Sequence, residues 1–104
     1  IATATLTESE MEPFGPEAYT EGIVEKLRDI DTVEIAAFLR QKGRDVKVSL
    51  RAKKYADIAR IAASRKGGGH PRAAGYTEYD ITVAEAEKIA VRLAEKELQA
   101  CWKE

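Results

Sequence analysis

Three consecutive glycines, Gly67, Gly68 and Gly69, stand directly before the only histidine of the chain, His70. Glycine loses more backbone entropy on folding than any other residue, so such a run normally destabilises a fold. The run is useful where the main chain needs positive φ angles or where another group must approach the backbone closely. Its amide groups can also form a concave anion-binding nest. The run therefore predicts an anion site, and the alternative is a flexible turn that happens to contain glycines.

Positive charge is concentrated in the middle of the chain. Residues 40–72 contain eleven Lys and Arg residues against Asp45 and Asp57, which gives this block a charge of +9. Because the formal net charge is −1, the rest of the chain carries −10. This segregation predicts that a polyanion contacts the basic block. The alternative is that the block pairs with acidic helices within the fold.

The composition is that of one globular domain covering residues 1–104, with 44% hydrophobic and 34% charged residues. No apolar run approaches the roughly 20 residues needed to cross a bilayer, so no membrane partner is expected. A single cysteine cannot form an intramolecular disulfide, which favours a reducing, cytoplasmic environment. The chain begins at Ile1 directly in a predicted strand, and we expect it to be a segment of a longer protein.

Hydrophobic periodicity predicts an α+β domain in which helices pack on a mixed sheet of about four to five strands, in the order β-α-β-β-α-β-α. We expect both faces of the second strand to be covered, because apolar residues occupy both of its sides. The predicted elements are a strand over 1–7, a helix over 20–30, a β-hairpin over 33–53 with its turn at 41–45, a helix over 55–64, a strand over 74–79 and a helix over 83–101.

The same periodicity predicts which side chains are buried. Tyr55 is expected to face inward together with the apolar residues of the 55–64 helix, and Glu97 is expected on the solvated side of the last helix. Tyr76 and Tyr79 could stack on a nucleic-acid base. Packing is the more usual role for tyrosines on a half-buried strand, and we expect it for both.

Three side chains near the glycines are suited to holding an anion. Arg51 can direct two donors onto phosphate oxygens from a strand, and Ser49, on the same face of that strand, can add a hydroxyl. His70 can donate from a ring nitrogen, although a histidine bonded to a backbone carbonyl is the alternative.

The usual catalytic motifs do not occur in the sequence. One histidine and one cysteine cannot form the usual zinc set, and neither a nucleophilic triad nor a GxxxxGK[ST] or GxGxxG loop is present. The sequence therefore predicts a binding module rather than a complete enzyme.

Residues 46–53, a following helix and the string GGGHPRAAG over 67–75 resemble the DHH-associated C-terminal domain of DHH-family phosphoesterases. Within that family, the chain resembles the bifunctional oligoribonucleases that also hydrolyse 3′-phosphoadenosine 5′-phosphate, which are relatives of the RecJ exonuclease. The resemblance covers essentially the whole chain, and the combination of GGGHxxAAG with an upstream SxR is specific.

The resemblance implies that a separate N-terminal DHH domain binds two divalent metal ions, commonly manganese, while this domain closes over the cleft and binds the substrate. No Asp-His-His string occurs here, so catalysis by this segment alone is not implied. The implied ligand is a short oligonucleotide or a phosphorylated nucleotide. By matching position, the implied substrate-binding residues are Ser49, Arg51, Gly67, Gly68, Gly69 and His70, with the adjacent Arg72 as a further candidate.

Two other interpretations of the sequence remain open. The chain could be a stand-alone nucleic-acid-binding module, or the equivalent domain of a cyclic-dinucleotide phosphodiesterase. The sequence departs from the family pattern at Lys66, where another glycine often precedes the three.

Overall fold

A computed structural model of the chain describes residues 2–6, 29 and 34–102. The predicted helix over 20–30 lies outside the described residues except for Asp29, which is in a turn. The elements are β1 (Ala2–Leu6), β2 (Ile35–Lys42), β3 (Asp45–Ala52), α1 (Ile58–Ser64), β4 (Gly68–His70), β5 (Ala73–Glu78) and α2 (Val83–Trp102).

The five strands form one mixed sheet in the order β1-β2-β3-β5-β4. β1 runs parallel to β2, and the other neighbouring pairs are antiparallel. The prediction of an α+β fold with a mixed sheet is therefore confirmed. β3 lies at the centre of the sheet, whereas Gly68 and Gly69 of the glycine run belong to the edge strand β4.

The core lies between the sheet and the two helices. Register places Leu39 beside Val48 and Val48 beside Tyr76, so alternate residues of three strands face the helices together. Phe38, on the other face of β2, is only 1% exposed, which confirms that both sides of this strand are covered. The buried apolar residues of the helices include Ile58, Ile61, Ala62, Ala86, Ala90 and Ala94.

The predicted hairpin between β2 and β3 is confirmed with a tighter turn than expected. Only Gly43 and Arg44 separate the two strands. Gly43 has a φ angle of 63°, and the first central position of a type II′ hairpin turn requires positive φ in this way. Two-residue turns fix the register of the flanking strands.

Helix α1 begins later than predicted. Asp57 is its N-cap, and the Asp57 side chain accepts a hydrogen bond from the Arg60 amide at 3.3 Å. The preceding amides of Lys54, Tyr55 and Ala56 donate instead to the Glu34 carboxylate at 2.8–3.1 Å. This anchored segment leaves Tyr55 47% exposed, so the prediction that Tyr55 faces inward is wrong.

The turn between β4 and β5 is joined to this same segment. The Pro71 carbonyl oxygen accepts a hydrogen bond from the Ile58 amide, and the Arg72 carbonyl oxygen accepts one from the Ala52 amide, both at 3.0 Å. The end of the glycine-containing hairpin is therefore held against the last residue of β3 and the first residue of α1.

Glu97 was expected on the solvated side of α2 but is buried, with 6% of its area exposed. Its carboxylate accepts hydrogen bonds from Arg60 at 3.0 and 2.8 Å and from the Asp57 amide at 3.1 Å. Burial raises the pKa of Glu97, but hydrogen bonds from Arg60, the Asp57 amide and the Cys101 thiol together bring that pKa below its ordinary value. These contacts connect α2 to the beginning of α1.

We predict that Glu97→Gln destabilises the domain at pH 7 by about 1–2 kcal/mol, since it weakens charge-assisted bonds to a guanidinium that is largely exposed. Because the folded-state pKa of Glu97 lies below its unfolded value, this stabilisation is present above that value and is lost as the pH falls. Urea unfolding of both proteins should therefore show a difference at pH 7 that becomes small at pH 3. An equal difference at both pH values would contradict the assignment.

Candidate functional site

The glycine segment begins in the C-terminal cap of α1. The Gly67 amide donates to the Ala62 carbonyl oxygen at 2.7 Å, and the Lys66 amide donates to the Ala63 carbonyl oxygen at 3.1 Å. These two bonds, around the C-cap residue Arg65, form a Schellman motif. The motif turns the chain directly from the helix into β4, so the position of the glycines is set by how α1 ends.

Two of the three glycines are required by close packing against β5. A Cβ atom added at Gly67 would lie 2.2 Å from the Gly75 carbonyl oxygen, and one added at Gly69 would lie 2.6 Å from the Ala74 Cα. Gly69 also has a φ angle of 144°, which disfavours other residues. A Cβ atom at Gly68 would meet nothing within 4 Å. Packing within the domain therefore leaves open space over Gly68.

We predict opposite effects on stability for two neighbouring substitutions. Gly67→Ala should destabilise the domain by about 2–3 kcal/mol, because the added methyl group overlaps backbone atoms that cannot move independently. Gly68→Ala is the matched control and should change the unfolding free energy by less than about 0.5 kcal/mol. Chemical denaturation of both variants measures the effect, and equal stability of the two would contradict this account of the glycines.

Lys66 occupies the position of the motif that usually holds glycine. Its φ angle is 65°, in the left-handed region where a Cβ atom crowds the following carbonyl oxygen. The departure from the family pattern at Lys66 therefore carries backbone strain, and it places a lysine at the entrance to β4.

We predict that Lys66→Gly stabilises the domain by about 1 kcal/mol, since relief of left-handed strain exceeds the entropy that glycine loses on folding. Lys66→Ala is the control, because it removes the charge and retains the Cβ atom. Thermal unfolding should show a higher midpoint for the glycine variant only. A similar rise in both would indicate that charge, rather than strain, is responsible.

The predicted site residues lie mainly on one face of the sheet, opposite α1 and α2, which we call the site face. Ser49 pairs with Gly75, and Gly75 pairs with Gly68, so these three residues form one row across the strands. The adjacent row contains Arg51, Ala73 and His70. Because two of its three residues are glycines, this first row has no side chain other than that of Ser49.

His70 is exposed, and its orientation is set by the turn that follows it. The Nδ1 atom accepts a hydrogen bond from the Arg72 amide at 3.1 Å. In a neutral ring this contact places the proton on Nε2, which is then the donor available to a ligand. The alternative expectation was a hydrogen bond between His70 and a backbone carbonyl oxygen, and the contact with the Arg72 amide takes its place.

The two arginines predicted to bind substrate are used in part by the protein itself. Arg51 is 8% exposed, and its Nη1 donates to the Leu50 carbonyl oxygen at 2.8 Å. Arg72 lies in the turn, and its Nη1 donates to the Ala56 carbonyl oxygen at 2.8 Å. Arg51 thus supplies positive charge from just beneath the site face, while Arg72 holds the turn against the segment before α1.

An open groove of about 820 Å³ continues from the Ser49–Gly75 row past Thr77 to Tyr79. This volume is within the range of ligand pockets. The side chains that line it include four cationic groups and one carboxylate, which is Glu78 and is paired with Arg65 at 2.8 Å. The cationic residues are Arg40, Lys47, Arg65 and Lys66.

The two tyrosines of the groove differ in environment. Tyr76 is 6% exposed, which confirms its packing role, and its hydroxyl has no hydrogen-bond partner among the described residues. Burial, with a smaller effect of Glu78, raises the pKa of Tyr76 to about 12. Tyr79 is 74% exposed, so the expectation that it packs is wrong.

The basic block is partly neutralised within the fold. Arg60, Arg65 and Arg44 form ion pairs with Glu97, Glu78 and Asp80 respectively. The alternative of pairing with acidic helices therefore applies to Arg60, whose partner lies in α2, whereas Glu78 ends β5 and Asp80 follows that strand. Lys47 and Lys66 both line the groove that contains the Arg65–Glu78 pair.

Within residues 2–6, 29 and 34–102, no three His, Cys, Asp or Glu residues are grouped closely enough to hold a metal ion. In the same residues, neither helix combines the length and apolar character needed to span a bilayer.

Comparison with known proteins assigns the class. Residues 14–100 match the DHHA1 domain model, and the chain therefore belongs to the DHHA1 domain family of DHH phosphoesterases. It is 30% identical over 98 residues to the bifunctional oligoribonuclease and PAP phosphatase NrnA of Thermus thermophilus. That match covers 94% of this chain but 29% of the relative, so the chain spans less than a third of that protein's length.

Solved structures agree with this assignment. An exopolyphosphatase-related protein of Bacteroides fragilis superposes with a TM-score of 0.80 at 33% identity, over 90% of this chain and 28% of that one. The C-Ala domain of Aquifex aeolicus alanyl-tRNA synthetase has the same fold, with a TM-score of 0.63 at 14% identity over 88% and 87% of the two chains. A pGpG-specific phosphodiesterase of Vibrio cholerae shares it more distantly, with a TM-score of 0.51 at 13% identity over 62% and 24%.

The structure adds residues that the sequence interpretation did not include in the site. Gly75 lies between Ser49 and Gly68, and Lys47 is two residues before Ser49 on the same face of β3. The alternation of side chains along β3 was sufficient to place Lys47 on the same face as Ser49. Gly75 required the register of β5, and Tyr79 required knowledge of where β5 ends.

Proposed function

We propose that this domain binds the phosphate-bearing end of a short oligonucleotide or a phosphorylated nucleotide and orients it for a metal-dependent catalytic domain of the same protein. The observation that carries the proposal is the open backbone at Gly68, which lies in one row across the sheet with Gly75 and, on the next strand, Ser49. A phosphate group can approach such a surface closely, because no side chain covers the backbone at the two glycines.

The groups beside this surface supply donors and positive charge. His70 presents Nε2 from the exposed end of β4, since its Nδ1 is occupied by the Arg72 amide. Arg51, in the same row as His70, contributes positive charge from beneath. Charged donors form the stronger hydrogen bonds to phosphate oxygens, so this arrangement favours an anionic ligand over a neutral one.

The names of the two relatives that share about a third of the sequence support a phosphate-containing substrate. One is an oligoribonuclease and PAP phosphatase, and the other is related to exopolyphosphatases. The Vibrio phosphodiesterase is too distant in sequence to favour pGpG as the ligand.

Hydrolysis is assigned in this proposal to the remainder of the parent protein. Two divalent ions bound there, commonly manganese in the family this chain resembles, would activate water for attack on phosphorus. The residues described here would bind and orient the phosphate, and such positioning lowers the entropic part of the barrier.

The experiment is an NMR titration of the ¹⁵N-labelled chain with the dinucleotides pApA and ApA. We expect the amide signals of Ser49, Gly68, His70 and Gly75 to shift with pApA only. Gly68→Ala should weaken pApA binding at least about tenfold, because its methyl group occupies the space over the backbone, and its unfolding free energy should be unchanged.

Three results would contradict the proposal. Equal affinity for pApA and ApA would favour a stand-alone nucleic-acid-binding module, which contacts the internal backbone regardless of the terminal phosphate. Unchanged pApA affinity in Gly68→Ala, or no binding of pApA at several millimolar, would remove the glycine row from the site.

A further inference from the structure

The groove continues away from His70 and ends at an aromatic residue. His70 and Arg51 do not line it, whereas Ser49 and Gly75 lie at its beginning and Tyr79 at its far end. The proposed phosphate position at Gly68 therefore adjoins one end of the groove through its strand partner Gly75, and the exposed ring of Tyr79 lies at the other end.

The length of this surface exceeds that of one nucleotide. Gly68 pairs with Gly75, at the beginning of the groove, and Tyr79 lies four residues further along β5 and its extension. At about 3.4 Å per residue, the distance along the strand is roughly 14 Å. Stacked nucleotides advance about 3.4 Å each, so a strand of several nucleotides bound by its phosphate end at Gly68 extends along the groove to Tyr79.

The backbone around Tyr79 is fixed by contacts with the β2–β3 turn. The Asp80 amide donates to the Asp45 carboxylate at 3.1 Å, and the Ile81 amide donates to the Arg44 carbonyl oxygen at 3.1 Å. Arg44 also forms an ion pair with the Asp80 side chain at 2.9 Å. The ring of Tyr79 is thus exposed on an anchored segment, which reduces the entropy lost when a ligand stacks on it.

Positive charge lies between the two ends. Lys47 pairs in register with Thr77, two residues before Tyr79, and Lys66 lines the same groove. Cations along a groove with an aromatic ring at its end are the pattern by which proteins hold single-stranded nucleic acid, because the backbone is charged and every base can stack.

We infer that the groove from Ser49 to Tyr79 is a second subsite, in which Tyr79 stacks on a base of a single-stranded oligonucleotide whose phosphate end is bound at Gly68. This inference rests on the proposed function and narrows the ligand to oligonucleotides longer than one nucleotide. Tyr79 is then the residue that makes the domain prefer an oligonucleotide to a mononucleotide.

The test compares the affinities of pApApA and AMP for the wild-type chain and three variants, measured by isothermal titration calorimetry. Tyr79→Ala should bind pApApA about tenfold more weakly and AMP unchanged. Tyr79→Phe should retain wild-type affinity for both, because the stacking ring remains. Tyr55→Ala is the matched control, since Tyr55 is the other large apolar side chain exposed in the described part of the chain, and it should change neither affinity.

A second readout separates stacking from a structural effect. A trinucleotide with abasic sites in place of its second and third nucleosides should bind wild type as weakly as pApApA binds Tyr79→Ala. The inference is overturned if Tyr79→Ala keeps full affinity for pApApA, if it loses affinity for both ligands equally, or if the bases make no difference. If AMP binding still depends on Gly68, each of those results remains compatible with the proposed function.

Discussion

The close approach of the glycine segment to β5 is the contact on which the site depends. At Gly67 and Gly69 the backbones are so near that a single methyl group would overlap main-chain atoms. This proximity lets β4 pair with β5 and places Gly68 beside Gly75 and Ser49. The outer glycines therefore serve the fold, and only the middle one leaves space for a ligand.

The rest of the site follows from strand geometry. Because side chains alternate across a sheet, the same strand β3 supplies Val48 and Leu50 to the core and Lys47 and Ser49 to the site face. A one-residue slip of the register would exchange these sets. The two-residue turn at Gly43 and the Schellman motif at the end of α1 hold β3 and β4 in place, so local backbone chemistry controls the arrangement of distant functional groups.

The sequence predicted the structure well where hydrophobic periodicity and motif agree, as in the β2–β3 hairpin, the extent of α2 and the GGGH string. It failed where one side chain accepts hydrogen bonds from a distant part of the chain. Glu34 binds three successive amides and so delays α1 and exposes Tyr55. Glu97 is buried because Arg60 and the Asp57 amide satisfy its charge. A helical pattern predicts the face of the helix on which a residue lies. It does not predict which groups of other elements contact that residue.

The same limit applies to the candidate site. Arg51 was correctly placed on the face with Ser49, but its bond to the Leu50 carbonyl oxygen depends on side-chain conformation, which sequence does not specify. Tyr76 and Tyr79 are equally good strand formers, yet one is buried and the other projects beyond the end of β5. Only the position of the strand end distinguishes them.

The attachment of the β4–β5 turn to β3 and α1 has a mechanical consequence. A glycine-rich segment suggests a hinge, but here its tip is bonded through Pro71 and Arg72 to Ala52, Ala56 and Ile58. The hairpin can therefore tilt only if the central strand and the helix tilt with it. Any opening and closing around a ligand must then come from displacement of this domain as a rigid unit and not from bending of the glycine segment.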